Sequence, residues 1–153
     1  MGDAKIDWEK KRIVGDRLID AEAWAIFDVL ADPSRHPEID GSGSVKATVG
    51  SAPQRLKLGS SFGMRMHLLA PYVIANKVVE FEEDRLLAWR HFGGHRWRYE
   101  LEAVDGGTLV RETFDWSTSR SSWVLENIIK PFDRNREAID ATLERLEGVV
   151  AGG

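Results

Sequence analysis

A chain of 153 residues fits one domain of ordinary size, so a single unit over 1–153 is expected, with an ordered core from about residue 10 to 150. Its 21 Lys and Arg against 25 Asp and Glu give a formal charge of -4, so a phosphate backbone meets no net attraction and no nucleic-acid partner is expected. With no cysteine, disulfides, thiolate metal sites and cysteine nucleophiles are excluded together.

The first stretch, MGDAKIDWEKKRIVGDRLID, has no apolar h-region, and no run in the chain approaches the roughly 18 apolar residues of a membrane span, so the reading is a cytoplasmic protein without integral membrane association. It opens Met1-Gly2, but Lys5-Ile6 departs from a myristoylation signal. Arg12 to Ile19 is β-like. In DAEAWAIFDVLADPSRHPEIDG, Asp20 is the expected N-cap, Trp24, Phe27 and Leu30 follow at helical spacing, Asp32-Pro33 ends the helix, and Pro37 limits the next segment to a short turn or helix. The clusters Gly41 to Ser44 and Gly50 to Pro53 are loops rather than linkers.

From Val45 to Trp116 the period changes to two. VKATV, FGMRMHLL, YVIANKVVEFE, RLLAWRHF, RWRYELEAV and TLVRETFDW read as six strands. Ala70-Pro71, Glu83-Asp84, Gly93-Gly94 and Asp105-Gly106-Gly107 supply hairpin chemistry between them, so an antiparallel meander is expected. The final SWVLENIIKPFDRNREAIDATLERLEGVV carries Leu125, Ile128, Phe132, Ile139, Leu143, Leu146 and Val150 on one face of a long amphipathic helix with a kink at Pro131. The fold class is therefore α+β: a curved antiparallel sheet of seven strands, two short helices after the first strand, and a long C-terminal helix too narrow to fill the concave face, which leaves a hollow.

AEAWAIFDVLADPSRHPEID, VVEFEEDRLLAWRH, YELEAVDGGTLVRETF and ATLERLEGVV together resemble the START-like (helix-grip, birch-pollen-allergen-like) superfamily, within it the SRPBCC group of polyketide cyclases/dehydrases and lipid-transport proteins. The resemblance spans nearly the whole chain and is specific to fold, not to reaction. It implies a deep apolar cavity for a lipid-, steroid- or polyketide-like ligand, in members that range from carriers to cyclases.

In HFGGHRWRYE, period two places Trp97, Tyr99 and Leu101 on one face and Arg96, Arg98 and Glu100 on the other, which separates the aromatics from the cations that single-stranded nucleic acid needs together. Trp89 and His91 share the parity of Trp97 and Tyr99 on the adjoining strand; pocket wall and plain core both fit. A metal needs a third ligand near His91 and His95, and His36 and His67 lie on distant segments, so no metal and no cofactor are expected. Phe62, Met64, Met66 and Leu68 form an apolar face suited to an adaptable pocket or an ordinary core.

On the last strand Glu112 shares parity with Val110 and Phe114; facing inward, it would be desolvated and its pKa raised, as a general acid or base requires, and otherwise it pairs with an arginine. Glu80 has ambiguous parity. Asn135 or Arg136 on the long helix reaches the hollow or its edge. His36, Glu38 and Asp40 read as a connector, since Ser34 lacks the strained turn of a nucleophile elbow.

The expected function is binding of a hydrophobic small molecule by Met64, Met66, Trp89, Trp97, Val110, Phe114, Ile128, Phe132 and Asn135. The alternatives are a cyclase- or dehydratase-like enzyme using Glu112 with His91 or Tyr99, and an interaction module with a vestigial cavity. Monomer and homodimer are both compatible.

Overall fold

The computed structural model describes residues 3–50, 53–67, 69–91 and 93–151. Met1-Gly2, the middle of the Gly50 to Pro53 loop and Leu68 of the apolar strand face lie outside the described residues.

The chain runs β1 (Lys5–Asp7), β2 (Arg12–Ile19), α1 (Ala23–Leu30), a short 3-10 turn, α2 (His36–Ile39), then β3 (Val45–Val49), β4 (Ser61–His67), β5 (Pro71–Glu82), β6 (Leu86–Arg90), β7 (Arg96–Val104) and β8 (Gly107–Asp115). It ends in α3 (Ser122–Val124), a π turn over Leu125–Ile129, and α4 (Phe132–Ala151). The alternating segments pair as an antiparallel meander from β3 to β8, and β2 closes the sheet on the far side of β8. Eight strands are present rather than seven: Lys5, Ile6 and Asp7 pair with Val14, Ile13 and Arg12, an edge too short for periodicity to reveal.

The first helix starts at Ala23 with Glu22 in the cap position, not at Asp20. Ala21 remains tied in turn geometry by its N–H to the Ile19 carbonyl and by the Thr108 hydroxyl donating to its own carbonyl at 2.8 Å. Ile26, Phe27, Val29 and Leu30 form the buried stripe, and Trp24 falls on the opposite, exposed side.

The C-terminal segment is broken rather than kinked. Ser121 caps α3 through Val124 N–H, the Lys130 N–H reaches back five residues to the Leu125 carbonyl, and Lys130 adopts a left-handed conformation with φ 47° before Pro131. The wide turn shifts the helical phase, so Leu125 and Phe132 are buried while Ile128 is 64% exposed.

Two glycines set how closely the helices lie. A Cβ on Gly15 would stand 2.6 Å from Ile139 Cγ2, and one on Gly41 would stand 2.5 Å from Thr142 N and 2.6 Å from the Ala138 carbonyl. Thus α4 rests directly on β2, and the chain leaving α2 rests directly on α4. Between these seams the concave sheet stands away from the helix.

Candidate functional site

The hollow is a cavity of about 320 Å³ bounded by β4 to β8, the α2 connector and the first turns of α4. Phe62, Met64 and Met66 of β4 line it, as do Trp89, Trp97 and Phe114 on the neighbouring strands; Ile129, Pro131 and Arg134 belong to its wall on the helix side. Period-two placement is the cause: Phe114, Trp97, Trp89 and Val78 stand opposite one another across β8, β7, β6 and β5, all on the concave face.

The next inward row carries the polar chemistry. Glu112 stands across from Tyr99 on one side and from Gly15 on the other. The Tyr99 hydroxyl donates to Glu112 Oε2 at 2.9 Å, and Glu112 is 3% exposed. Burial pushes the Glu112 carboxyl well above the usual carboxylate range; the phenol opposes that shift, and the negative charges of Asp40 and Asp140 add to it. Burial and the adjoining carboxyl push the Tyr99 phenol up as well. Burial thus favours the neutral acid form of this carboxyl over the carboxylate.

Three histidines lie in the same wall. His91 and His95 approach to 4.7 Å between ring centroids, and burial, reinforced by His95, lowers His91 to about 3. Burial lowers His95 too. The turn carrying them is pinned where Arg120 N–H donates to the Gly93 carbonyl at 2.7 Å and Thr118 Oγ1 to the Gly94 carbonyl at 2.6 Å. His36 donates Nε2–H to the Leu30 carbonyl at 2.8 Å and stacks on Trp89 at 5.0 Å; burial holds it neutral. The cavity's lining is thus mostly apolar, with Asp40 and Arg134 as its charged members.

Three buried polar atoms of this wall, Glu112 Oε1, Asn76 Oδ1 and His91 Nδ1, have no hydrogen-bond partner among the described residues. Burying such atoms unpaired is costly.

Of the residues expected as binding contacts, Met64, Met66, Trp89, Trp97, Phe114 and Asn135 line the cavity together with Glu112, His91 and Tyr99. Three do not. Val110 is fully buried in the core beneath α4, Phe132 turns to Trp8 and Trp116 at 4.8 and 4.6 Å, and Ile128 points outward from the π turn. Arg136 pairs with Asp133, leaving Asn135 as the residue of that pair in the wall. Glu80 sits on the convex face with Arg96 and Arg98, whose hydrogen bonds and charges hold its carboxyl below the usual range.

Sequence reasoning did not place Asn76, His36 or His95 in the cavity wall: it weighed His95 only as a metal ligand and read His36 as part of a connector. Asn76 had a signal, a polar residue in phase with Ile74 and Val78; His36 had none, because its ring reaches the wall across the sheet. Among the described residues no group of three His, Cys, Asp or Glu side chains is placed to hold a metal ion.

No family model matches the chain. The uncharacterized protein Rv0088 of Mycobacterium tuberculosis is 36% identical over 141 residues, which is 87% of this chain. MT0096 from another strain of that species gives the same figures, and the chain spans 61% of the length of these curated relatives. Solved structures similar to it include protein Ms6760 of Mycobacterium smegmatis, with TM-score 0.75, 15% identity and coverage of 99% of this chain and 98% of that one. The AHSA1-like protein of Aeromonas hydrophila follows with TM-score 0.66, 19% identity and coverage of 90% and 93%. At these identities the likeness is one of architecture, and that architecture, a large curved antiparallel sheet wrapped around a C-terminal helix, is the helix-grip fold.

Proposed function

We propose that the protein binds a hydrophobic small molecule, lipid-, steroid- or polyketide-like, in the cavity between sheet and helix, as a cytoplasmic carrier or sensor of the START-like/SRPBCC type. One observation carries this reading: an aromatic- and methionine-lined hollow of about 320 Å³ in a domain whose other apolar side chains pack closely. A void of that size forfeits the packing its walls would otherwise gain, and an apolar ligand restores it at roughly 25 cal/mol per Å² of area buried, before association costs. No helix among the described residues is long and apolar enough to cross a membrane. Native mass spectrometry of the protein as purified from cells, followed by denaturing extraction, tests the reading. A retained apolar compound released on unfolding supports it. A clean apo mass, with no thermal shift across a lipid and polyketide panel, counts against it and favours an interaction module.

The Tyr99–Glu112 hydrogen bond favours a second reading, a cyclase- or dehydratase-like enzyme. In it, neutral Glu112 delivers its proton to a ketone oxygen while neutral His91 takes a proton from the adjacent carbon, yielding the enol; both protons return in the reverse step. Deuterium exchange at that carbon of a cavity-bound ketone, lost by about 10²-fold or more in Glu112→Gln, supports catalysis. Exchange at the buffer rate leaves binding alone.

A further inference from the structure

Two of the most buried polar side chains of the cavity lie on different strands, and each keeps one oxygen without a partner among the described residues. Glu112 on β8 is 3% exposed and Asn76 on β5 is 4% exposed. The Glu112 carboxyl has one partner among the described residues, the Tyr99 hydroxyl, and no cation pairs with it. An ionised carboxylate in that position would be a buried charge without a counter-charge, which costs far more than keeping the proton. Because the phenol donates to Oε2, that oxygen is the acceptor of the acid, and the proton belongs on the unpartnered Oε1. Glu112 therefore offers the cavity a hydrogen-bond donor, held in place by Tyr99.

Asn76 makes no side-chain hydrogen bond among the described residues, and its Oδ1 is buried without a partner. Its strand lies three positions from β8 in the sheet, beyond β6 and β7. Three strand spacings amount to about 14 Å across the strands, and the register sets Asn76 four residues from Glu112 along them, about 13 Å in the other direction. Between the two stand Trp89 on β6 and Trp97 on β7, an apolar span.

Resting on the binding reading above, we propose that the cavity selects an uncharged, elongated apolar molecule carrying a carbonyl oxygen at the end that meets the Glu112 acid, and a second uncharged polar group that meets the Asn76 amide. A site built to hydrogen-bond a polar group rejects analogues that lack it, because its own buried atoms are then left unpaired. An ionised carboxylate is disfavoured at the Glu112 end, where Asp40 and Asp140 already act on the site. Arg134, exposed in the helix-side wall, is the place a fatty acid head group would choose instead.

Three probes separate these possibilities, read by quenching of the fluorescence of Trp89 and Trp97: androstenedione, a rigid diketone; androstane, the same skeleton without oxygen; and oleate. The expected result is androstenedione binding at least about ten-fold tighter than androstane. Glu112→Leu abolishes that ratio, whereas Glu112→Gln, whose amide also donates while accepting from Tyr99, keeps most of it. Asn76→Leu lowers the ratio independently. Equal affinity for the two steroids, unmoved by Glu112→Leu, overturns the proposal and leaves the binding reading standing. Oleate as the sole ligand, lost on Arg134→Gln and indifferent to Glu112, also overturns it. If neither steroid nor oleate binds, the proposal fails, and a clean apo mass in the native spectrum then removes the binding reading as well.

Discussion

Tyr99 and Glu112 face each other across the β7–β8 pair, and the hydroxyl of the first donates to Oε2 of the second at 2.9 Å. A tyrosine and a carboxyl buried together without a cation leave the proton as the cheapest neutraliser, and the stability of the fold inherits that choice.

The first expectation is an alkaline cost. The folded value of Glu112 lies above its unfolded value, near 4.3, so the unfolded chain releases a proton that the folded chain keeps. Stability therefore falls as pH rises from about 4 until the folded value is passed, with a slope of up to about 1.4 kcal/mol per pH unit. Glu112→Gln removes the slope. Urea midpoints of variant and wild type should diverge as pH rises above about 5; parallel curves would contradict the assignment.

His91 works in the opposite direction. It is lowered from 6.5 to about 3, so the unfolded chain takes up a proton that the folded chain refuses, and stability is lost as pH falls through 6.5 towards 3. His91→Gln should flatten the acid limb of a melting-temperature profile over that window. An acid limb unchanged by the substitution would mean that the ring is not shielded.

Gly41→Ala should destabilise by about 1–3 kcal/mol or more, since the new methyl meets α4 backbone, which cannot step aside. Gly63→Ala, whose nearest contact is 3.5 Å away on Val49, serves as the control and should be nearly neutral. Denaturant unfolding of the two variants makes the comparison; equal midpoints would show that the α2–α4 seam yields.

At Lys130 the left-handed backbone suits glycine better than any branched residue. Lys130→Gly should raise stability by about 1 kcal/mol and Lys130→Val should lower it. The order of their thermal midpoints is the test, and a reversed order would place the turn in another conformation.

Much of the sheet was legible because a two-residue period survives in any one strand: Trp97, Tyr99 and Leu101, or Val110, Glu112 and Phe114, declare a common face without reference to the rest of the chain. The hairpins were legible for the same local reason. What escaped depends on partners far away in sequence. Ile128 sits in phase with Leu125 and Phe132 only if the helix is regular, and the π turn and Lys130 break that phase. Asp20 has the right chemistry for a cap, yet Thr108 holds the chain beside it in a turn. Val110 faces inward as its parity requires, but α4 covers that end of the sheet and the cavity lies towards the other. Glu80 could not be assigned from its own strand, because the pairing shifts register between Val78 and Glu80.

That shift gives β5 two addresses. Before it, Asn76 and Val78 point to the concave side; after it, Phe81 does, packing on Phe27 of α1, while Glu80 joins Arg96 and Arg98 outside. One extra residue thus works as a phase inverter, letting a single strand line the cavity with its first half and anchor the opening helix with its second. Without Val79 the strand would alternate plainly, Val78 inward, Glu80 outward and Phe81 inward, so both duties would persist and only the local kink would be lost.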